Sequence, residues 1–354
     1  MTDSVTIDNI SRFFEIGKYH HRVFDMSRRV QRFSNQRFKR IEIQEEIYPV
    51  PFQQHASLGL LFWKPESPQE PVIWFLKFPL DELGFLKLET RDAFIQQLLE
   101  QVGEKIKSDQ GMDADDSDMK ESEFAFKPGQ EKMAIFNAFA TAELHQPPSN
   151  FYTYAQEYMH GDVGYDQWNF IGLQGIADMV ARLSEDGNEA ALIQAVPNLP
   201  DVPLVLLAQL LENVEVSVLL SQALSERLRQ ELENPLIEET NIAVVAAILR
   251  GLSVSVNKKL RKQVVLDVLA TEHVQSIEVI AAISSRVWRV LLDASVMLPF
   301  MEVLAKHEQE QFNAVLLDLL PIPEMRQEIM SGFRHADRSE NLSLKIGGFM
   351  GMFR

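Results

Sequence analysis

A chain of 354 residues exceeds what one hydrophobic core usually supports, and 46% hydrophobic with 24% charged residues describes a folded protein of two domains. The absence of cysteine excludes disulfides, thiolate catalysis and Cys-ligated metal sites, and suits a reducing cytosol. A formal net charge of −17 disfavours encounter with polyanions, so a strongly positive stretch in such a chain needs a reason.

The amino terminus, MTDSVTIDNISRFFEIG, has acids and polar residues where a secretory leader needs a positive region followed by apolar residues. The longest purely apolar run, Ile242 to Leu249, is far short of the ~20 residues of a membrane helix. A cytoplasmic protein without membrane contact is expected.

Thr6 to Phe14 predicts a short helix closed by Gly17, and Arg22 to Met26 the start of a strand. Residues 12–40 hold nine Lys and Arg against two acids, whereas residues 41–170 hold nine against 23. The positive charge centres on FDMSRRVQRFSNQRFKR, residues 24–40, with phenylalanines between the arginines. A helical template puts Met26, Val30, Phe33 and Arg37 on one face, a strand template alternates Arg22, Phe24 and Met26, and neither fits throughout. Arg22, Arg28, Arg29, Arg32, Arg37, Lys39 and Arg40 suit phosphate contact with stacked bases. They equally suit pairing with the acidic stretch that follows, and the local charge balance favours that reading.

HASLGLLFW (55–63) and VIWFLKF (72–78) flank the proline-rich KPESPQEP and predict a hairpin with a long loop. Phe94, Leu98, Val102 and Ile106 recur every four residues and predict an amphipathic helix over 89–106. SDQGMDADDSDMKESE, 108–123, predicts a solvated, mobile acidic loop. Counted from Asp113 as a calcium loop, it has Asp118 where glycine is needed and Phe124 where glutamate is needed. A helix is expected from Pro128-Gly129 to about Leu144, then another capped by Ser149.

Of 32 aromatic residues, 26 lie in residues 1–170, and the remainder of the chain is built on Leu, Val, Ile and Ala. VLLAQLLENV, VVAAILRGL, VIAAISSRV and NAVLLDLLP, aligned on Ala208, Ala247, Ala282 and Leu317, recur at spacings of 39, 35 and 35. Periods of this size with small residues at helix contacts describe stacked helix pairs. The predicted fold class is α+β: a small aromatic-rich antiparallel-sheet and helix domain (1–107), the acidic loop (108–123), a helical connector (124–164) and an all-α HEAT/armadillo-like repeat domain (165–354).

No phosphate loop, dinucleotide fingerprint, nucleophile elbow or HExxH pair occurs, and His20-His21 would point to opposite faces of a strand. No catalytic, cofactor or metal residue is assigned. A second basic cluster, NKKLRK, puts Lys258, Lys259, Arg261 and Lys262 near a predicted helix start, where the macrodipole disfavours cations. Either the helix begins later or an acidic partner binds there, and a solvated face is the plainer reading. The tail KIGGFMGMFR carries Phe349, Met350, Met352 and Phe353 among glycines, and predicts a flexible segment docking on its own protein or a partner.

YHHRVFDMSRRVQ, GLLFWKPESPQEPVIWFLKFPLDELG and the helical remainder together resemble a gammaproteobacterial family classed as a domain of unknown function, over nearly the whole chain. The resemblance implies a bacterial cytoplasmic protein and brings no reaction, cofactor or site residue. The expected role is a non-enzymatic protein–protein interaction or scaffold module using the helical-repeat surface. The alternatives are nucleic-acid binding through residues 22–40 and an enzyme without a linear motif.

Overall fold

The computed structural model describes residues 7–107, 122–234 and 237–353, with backbone alone for 102–107. The expected acidic loop, 108–123, lies outside the described residues apart from Ser122 and Glu123. The chain forms two compact units, Met1–Lys132 and Met133–Arg354.

The first unit opens with α1 (Ile10–Ile16), which starts four residues later than the apolar pattern suggests. The Asn9 side chain accepts from the Arg12 amide at 2.7 Å and sets that start. There follow β1 (His20–Asp25), β2 (Gln31–Phe33), α2 (Asn35–Glu42), β3 (His55–Trp63), β4 (Val72–Pro79) and α3 (Leu88–Lys107). The strands make one antiparallel sheet in the order β2-β1-β3-β4. Strand β3 pairs on both edges and every residue from Ala56 to Trp63 is buried, as a continuous apolar run demands. On β4 the burial alternates, with Trp74, Leu76 and Phe78 inward.

Aromatic rings fill the space between the sheet, α1 and α3. Phe62 meets Trp74 with centroids 4.6 Å apart, Phe14 meets Phe62 at 5.0 Å, and Phe94 of α3 meets Phe78 at 5.6 Å and Phe124 at 5.7 Å. Residues 124–126 lie along the outer edge of β4, where Lys77 donates to the Phe124 carbonyl at 2.8 Å and Phe126 to the Phe75 carbonyl at 3.0 Å. The free edge of the sheet is thereby covered on that side.

The second unit is helical. It takes in α4 (Gln130–Glu143) from Met133 onward, α5 (Tyr152–His160), α6 (Leu173–Ala181), α7 (Asn188–Ala195), α8 (Asp201–Leu211), α9 (Val218–Glu233) and α10 (Glu239–Leu252). It continues with α11 (Lys258–Leu269), α12 (Ile277–Arg286), α13 (Ala294–Leu304), α14 (Gln309–Leu319), α15 (Met325–Phe333) and α16 (Glu340–Gly351), with 3₁₀ turns at Tyr165–Phe170, Glu272–Gln275 and Trp288–Leu292. Helices two apart in sequence pack together: α6 on α8, α8 on α10, α10 on α12, α12 on α14 and α14 on α16. A second row joins α5 to α7, α7 to α9, α9 to α11, α11 to α13 and α13 to α15. Small residues permit the closest approach, since a Cβ on Gly251 of α10 would stand 3.0 Å from the Ala208 carbonyl oxygen of α8. Among the described residues no helix is long and apolar enough to cross a membrane.

Two local expectations are corrected. Ser149 does not cap the next helix; its hydroxyl accepts from the Phe151 amide at 3.3 Å in a turn, and α5 begins at Tyr152. The carboxy-terminal segment is not a flexible tail but α16, in which Gly347 and Gly348 sit mid-helix because Phe349 is buried against Phe333, 6.0 Å away.

Candidate functional site

The amino-terminal basic stretch resisted a single template because it is strand, turn, strand and helix in succession: β1, residues 26–30, β2 and α2. The turn is the buried part. Asp25 is fully buried and accepts from the Tyr48 hydroxyl, from the Ser27 amide at 2.8 Å and from the Gln31 side-chain amide at 3.1 Å. Burial pushes its carboxyl above the usual carboxylate range, with those hydrogen bonds opposing it. Ser27 and Tyr48 meet at 3.1 Å, and Lys132, the last residue of this unit, donates to the carbonyls of Met26 and Ser27 at 2.7 and 2.5 Å. The hairpin is thus sewn from below by polar contacts whose partners are satisfied.

The cations themselves are turned to structural use. Arg28 is only 2% exposed; its Nε donates to the Pro51 carbonyl at 2.9 Å, and its guanidinium lies 5.8 Å from the Phe52 ring centroid. Arg37 reaches Glu46 at 2.7 Å, Arg40 reaches the other oxygen of the same carboxylate at 2.7 Å, and Lys39 reaches Glu15 at 3.0 Å. The Arg22 guanidinium lies 5.4 Å from the Trp63 ring centroid and donates to the His21 carbonyl at 3.0 Å. Arg29 donates to Gln31 at 3.2 Å, and Arg32 is exposed on β2 opposite Phe24. Glu15 and Glu46 supply much of the neutralising charge; Glu46 belongs to the acidic residues that follow the stretch, whereas Glu15 precedes it in α1.

Glu42 closes this region. It is fully buried at the end of α2, and its carboxylate accepts from the amides of Ile10 and Ser11 at 2.7 and 3.0 Å and from the Ser11 hydroxyl, capping α1 from another helix. Burial raises its pKa to about 6, against those hydrogen bonds and nearby Arg91. The folded state therefore holds the extra proton between 4.5 and about 6, so the stability owed to this group is greatest below that window and declines as pH rises through it. A groove of about 480 Å³ lies near the start of α1, between Ile7, Asp8 and the α3 side chains Arg91, Ile95 and Leu99.

In the second unit α11 begins at Lys258, with the Asn257 side chain accepting from the Leu260 amide at 3.1 Å. The later helix start envisaged for NKKLRK is not what the chain adopts, and the four cations occupy its first turns. Lys262 pairs with Asp293 at 2.5 Å, which holds the Asp293 carboxyl down to about 2. Arg261 donates from Nη1 to the Ser253 carbonyl at 2.8 Å, while its Nε is buried and without a partner among the described residues. Burial, and then the nearby Arg289 guanidinium, lower the Arg261 pKa. Lys258 and Lys259 are exposed.

Glu212, at the end of α8 and 2% exposed, receives Arg250 of α10 at 2.7 and 3.1 Å and Arg286 of α12 at 2.9 Å. These three residues lie 38 and 36 positions apart, the period seen in the apolar pattern, so an alignment of the helical segments contained the signal for them. Arg289 had no such signal, being 28 residues beyond Arg261 in a short 3₁₀ turn. At the carboxy terminus Phe349 is buried, whereas Met350, Met352 and Phe353 are 45%, 54% and 64% exposed. The scattered histidines include His273, buried with its Nε2 2.7 Å from the Asn241 side-chain oxygen Oδ1, and His21, stacked on Phe14 at 4.4 Å. Among the described residues no group of three or more His, Asp and Glu side chains is placed to hold a metal ion.

No curated protein matches the chain, and no solved structure matches it. One family does, over residues 5–350, a span that takes in the aromatic hairpin and the helical rows alike: the chain belongs to the family described as Protein of unknown function (DUF3549).

Proposed function

We propose that the protein is a cytoplasmic, non-enzymatic scaffold whose second unit is an α-solenoid of the HEAT/armadillo kind and binds a partner protein along its helical surface. One observation carries the reading: two rows of helices in which each packs on the helix two before it, from α5 to α15 and from α6 to α16. Such stacking buries each pair only against its neighbours and leaves an extended outer surface for recognition. The Glu212–Arg250–Arg286 cluster supports it, because one carboxylate ties three successive members of a row together. The helices also expose Leu219 of α9 and Leu344 of α16, one in each row, at 64% and 69%.

Nucleic-acid binding through residues 22–40 has less support, since Arg28 is buried and Arg37, Arg40 and Lys39 lie against the protein's own carboxylates. The scaffold reading is tested by photo-crosslinking in the producing cell with benzoylphenylalanine at Leu219, Leu317 or Leu344. A saturable adduct with one protein species is expected. Labelling no stronger than from a probe at exposed Leu83 of the first unit would overturn it.

A further inference from the structure

Five cations gather where α11 meets the 3₁₀ turn Trp288–Leu292: Lys258, Lys259, Arg261 and Lys262 from the helix, and Arg289 from the turn. Two features of their placement cost stability. The amino-terminal turn of a helix disfavours cations, and Lys258 faces Arg261 and Lys262 at i+3 and i+4, where like charges repel. Arg289 comes close enough to Arg261 to repel it, and is itself exposed and steadied over the Trp288 ring at 5.3 Å. Among the described residues Asp293 supplies the one carboxylate within ion-pair distance of the group, and Lys262 takes it at 2.5 Å. Among the described residues no carboxylate lies within ion-pair distance of Lys258, Lys259, Arg261 or Arg289, in a chain that carries 51 acids. Arg261 is half-buried and donates to the Ser253 carbonyl at 2.8 Å, which ties its guanidinium to the turn before α11.

We propose that Lys258, Lys259, Arg261 and Arg289 form a docking site for an acidic segment of a partner protein, a run of aspartates and glutamates laid across the start of α11 and the 288–292 turn. The site deepens the scaffold reading and rests on it. Guanidinium forks and ammonium groups both donate to carboxylates, and an anion laid here relieves repulsion that, among the described residues, the Asp293 carboxylate alone offsets. A carboxylate peptide fits better than nucleic acid. Duplex binders commonly neutralise roughly six to ten phosphates, more than this group offers, and a net charge of −17 repels so dense a polyanion.

The test is fluorescence anisotropy with a labelled peptide of alternating Asp and Glu, beside its Asn and Gln counterpart and a labelled DNA duplex, at about 50 mM salt where charge contacts are strongest. The acidic peptide is expected to saturate the full-length protein and the amide peptide not to bind. Lys258→Gln, Lys259→Gln and Arg289→Gln combined change only exposed side chains and should weaken the complex about tenfold, while Arg37→Gln with Arg40→Gln leaves it unchanged. Circular dichroism of each variant checks that it is folded. No saturable binding, or equal binding by the triple variant, overturns the site; duplex bound more tightly through the same residues overturns it in favour of nucleic acid. A crosslinked partner that persists beside a failed peptide assay removes this site and spares the scaffold reading. Loss of all crosslinking removes the scaffold reading itself.

Discussion

Two basic stretches of one acidic chain meet opposite fates. Around residues 22–40 the cations are absorbed: Arg28 under Pro51, Arg37 and Arg40 on Glu46, Lys39 on Glu15. Around residues 258–262 one of four finds a carboxylate, that of Asp293, and a fifth cation, Arg289, is brought in rather than a second acid. Both look alike as composition. The difference teaches that a run of Lys and Arg has no meaning until its surroundings are known, and that the cluster left without compensation is the one to suspect of a partner.

The comparison breaks most visibly where a buried charge is the shared anchor. Glu212→Ala removes the buried carboxylate that Arg250 and Arg286 share and should cost about 3–5 kcal/mol in urea denaturation. A loss below about 1 kcal/mol would mean that the cluster does not tie the row together. Arg28→Ala comes next, at about 1.5–3 kcal/mol, because a buried charged hydrogen bond and its packing are removed together. A surface-like cost would show that the first stretch is less absorbed than its geometry implies.

Glu42 sharpens the same contrast through pH. Its pKa of about 6 lies above the ordinary 4.5, so raising the pH through that window should destabilise the native protein relative to Glu42→Gln by on the order of 2 kcal/mol. Parallel stability curves for the two proteins would contradict the raised value. Glu46→Ala releases the partly exposed Arg37 and Arg40 and is expected to cost only about 0.5–1 kcal/mol, read as a small shift in the thermal midpoint. The smallest effect has the opposite sign. Lys258→Gln with Lys259→Gln should leave stability unchanged or raise it by a few tenths of a kcal/mol, since it removes cations from a helix start. Clear destabilisation would mean that these lysines have structural partners.

Legibility varied with the length and period of each element. β3 and β4 were readable because two apolar runs flank three prolines, and α3 because Phe94 and Leu98 repeat at helical spacing. β2 spans three residues, too few to show any period, and its existence depends on pairing with β1. Ser149 offered a capping residue, yet the chain places it in a turn three residues ahead of α5. The glycines of the last helix suggested flexibility, and burial of Phe349 outweighed their poor helix propensity.

By itself the sequence determined the aromatic-rich composition of residues 1–170 and the aliphatic composition of the remainder, the apolar faces that must be buried, and the exclusion of cysteine chemistry. Those follow from residue type and short-range period, which every chain carries locally. Only the tertiary structure decided which cations are neutralised. Glu46 meets Arg37 across nine positions, Lys39 meets Glu15 across 24, and Lys262 meets Asp293 across 31. An ion pair is a matter of a few ångströms in space, and separation along the chain does not report it.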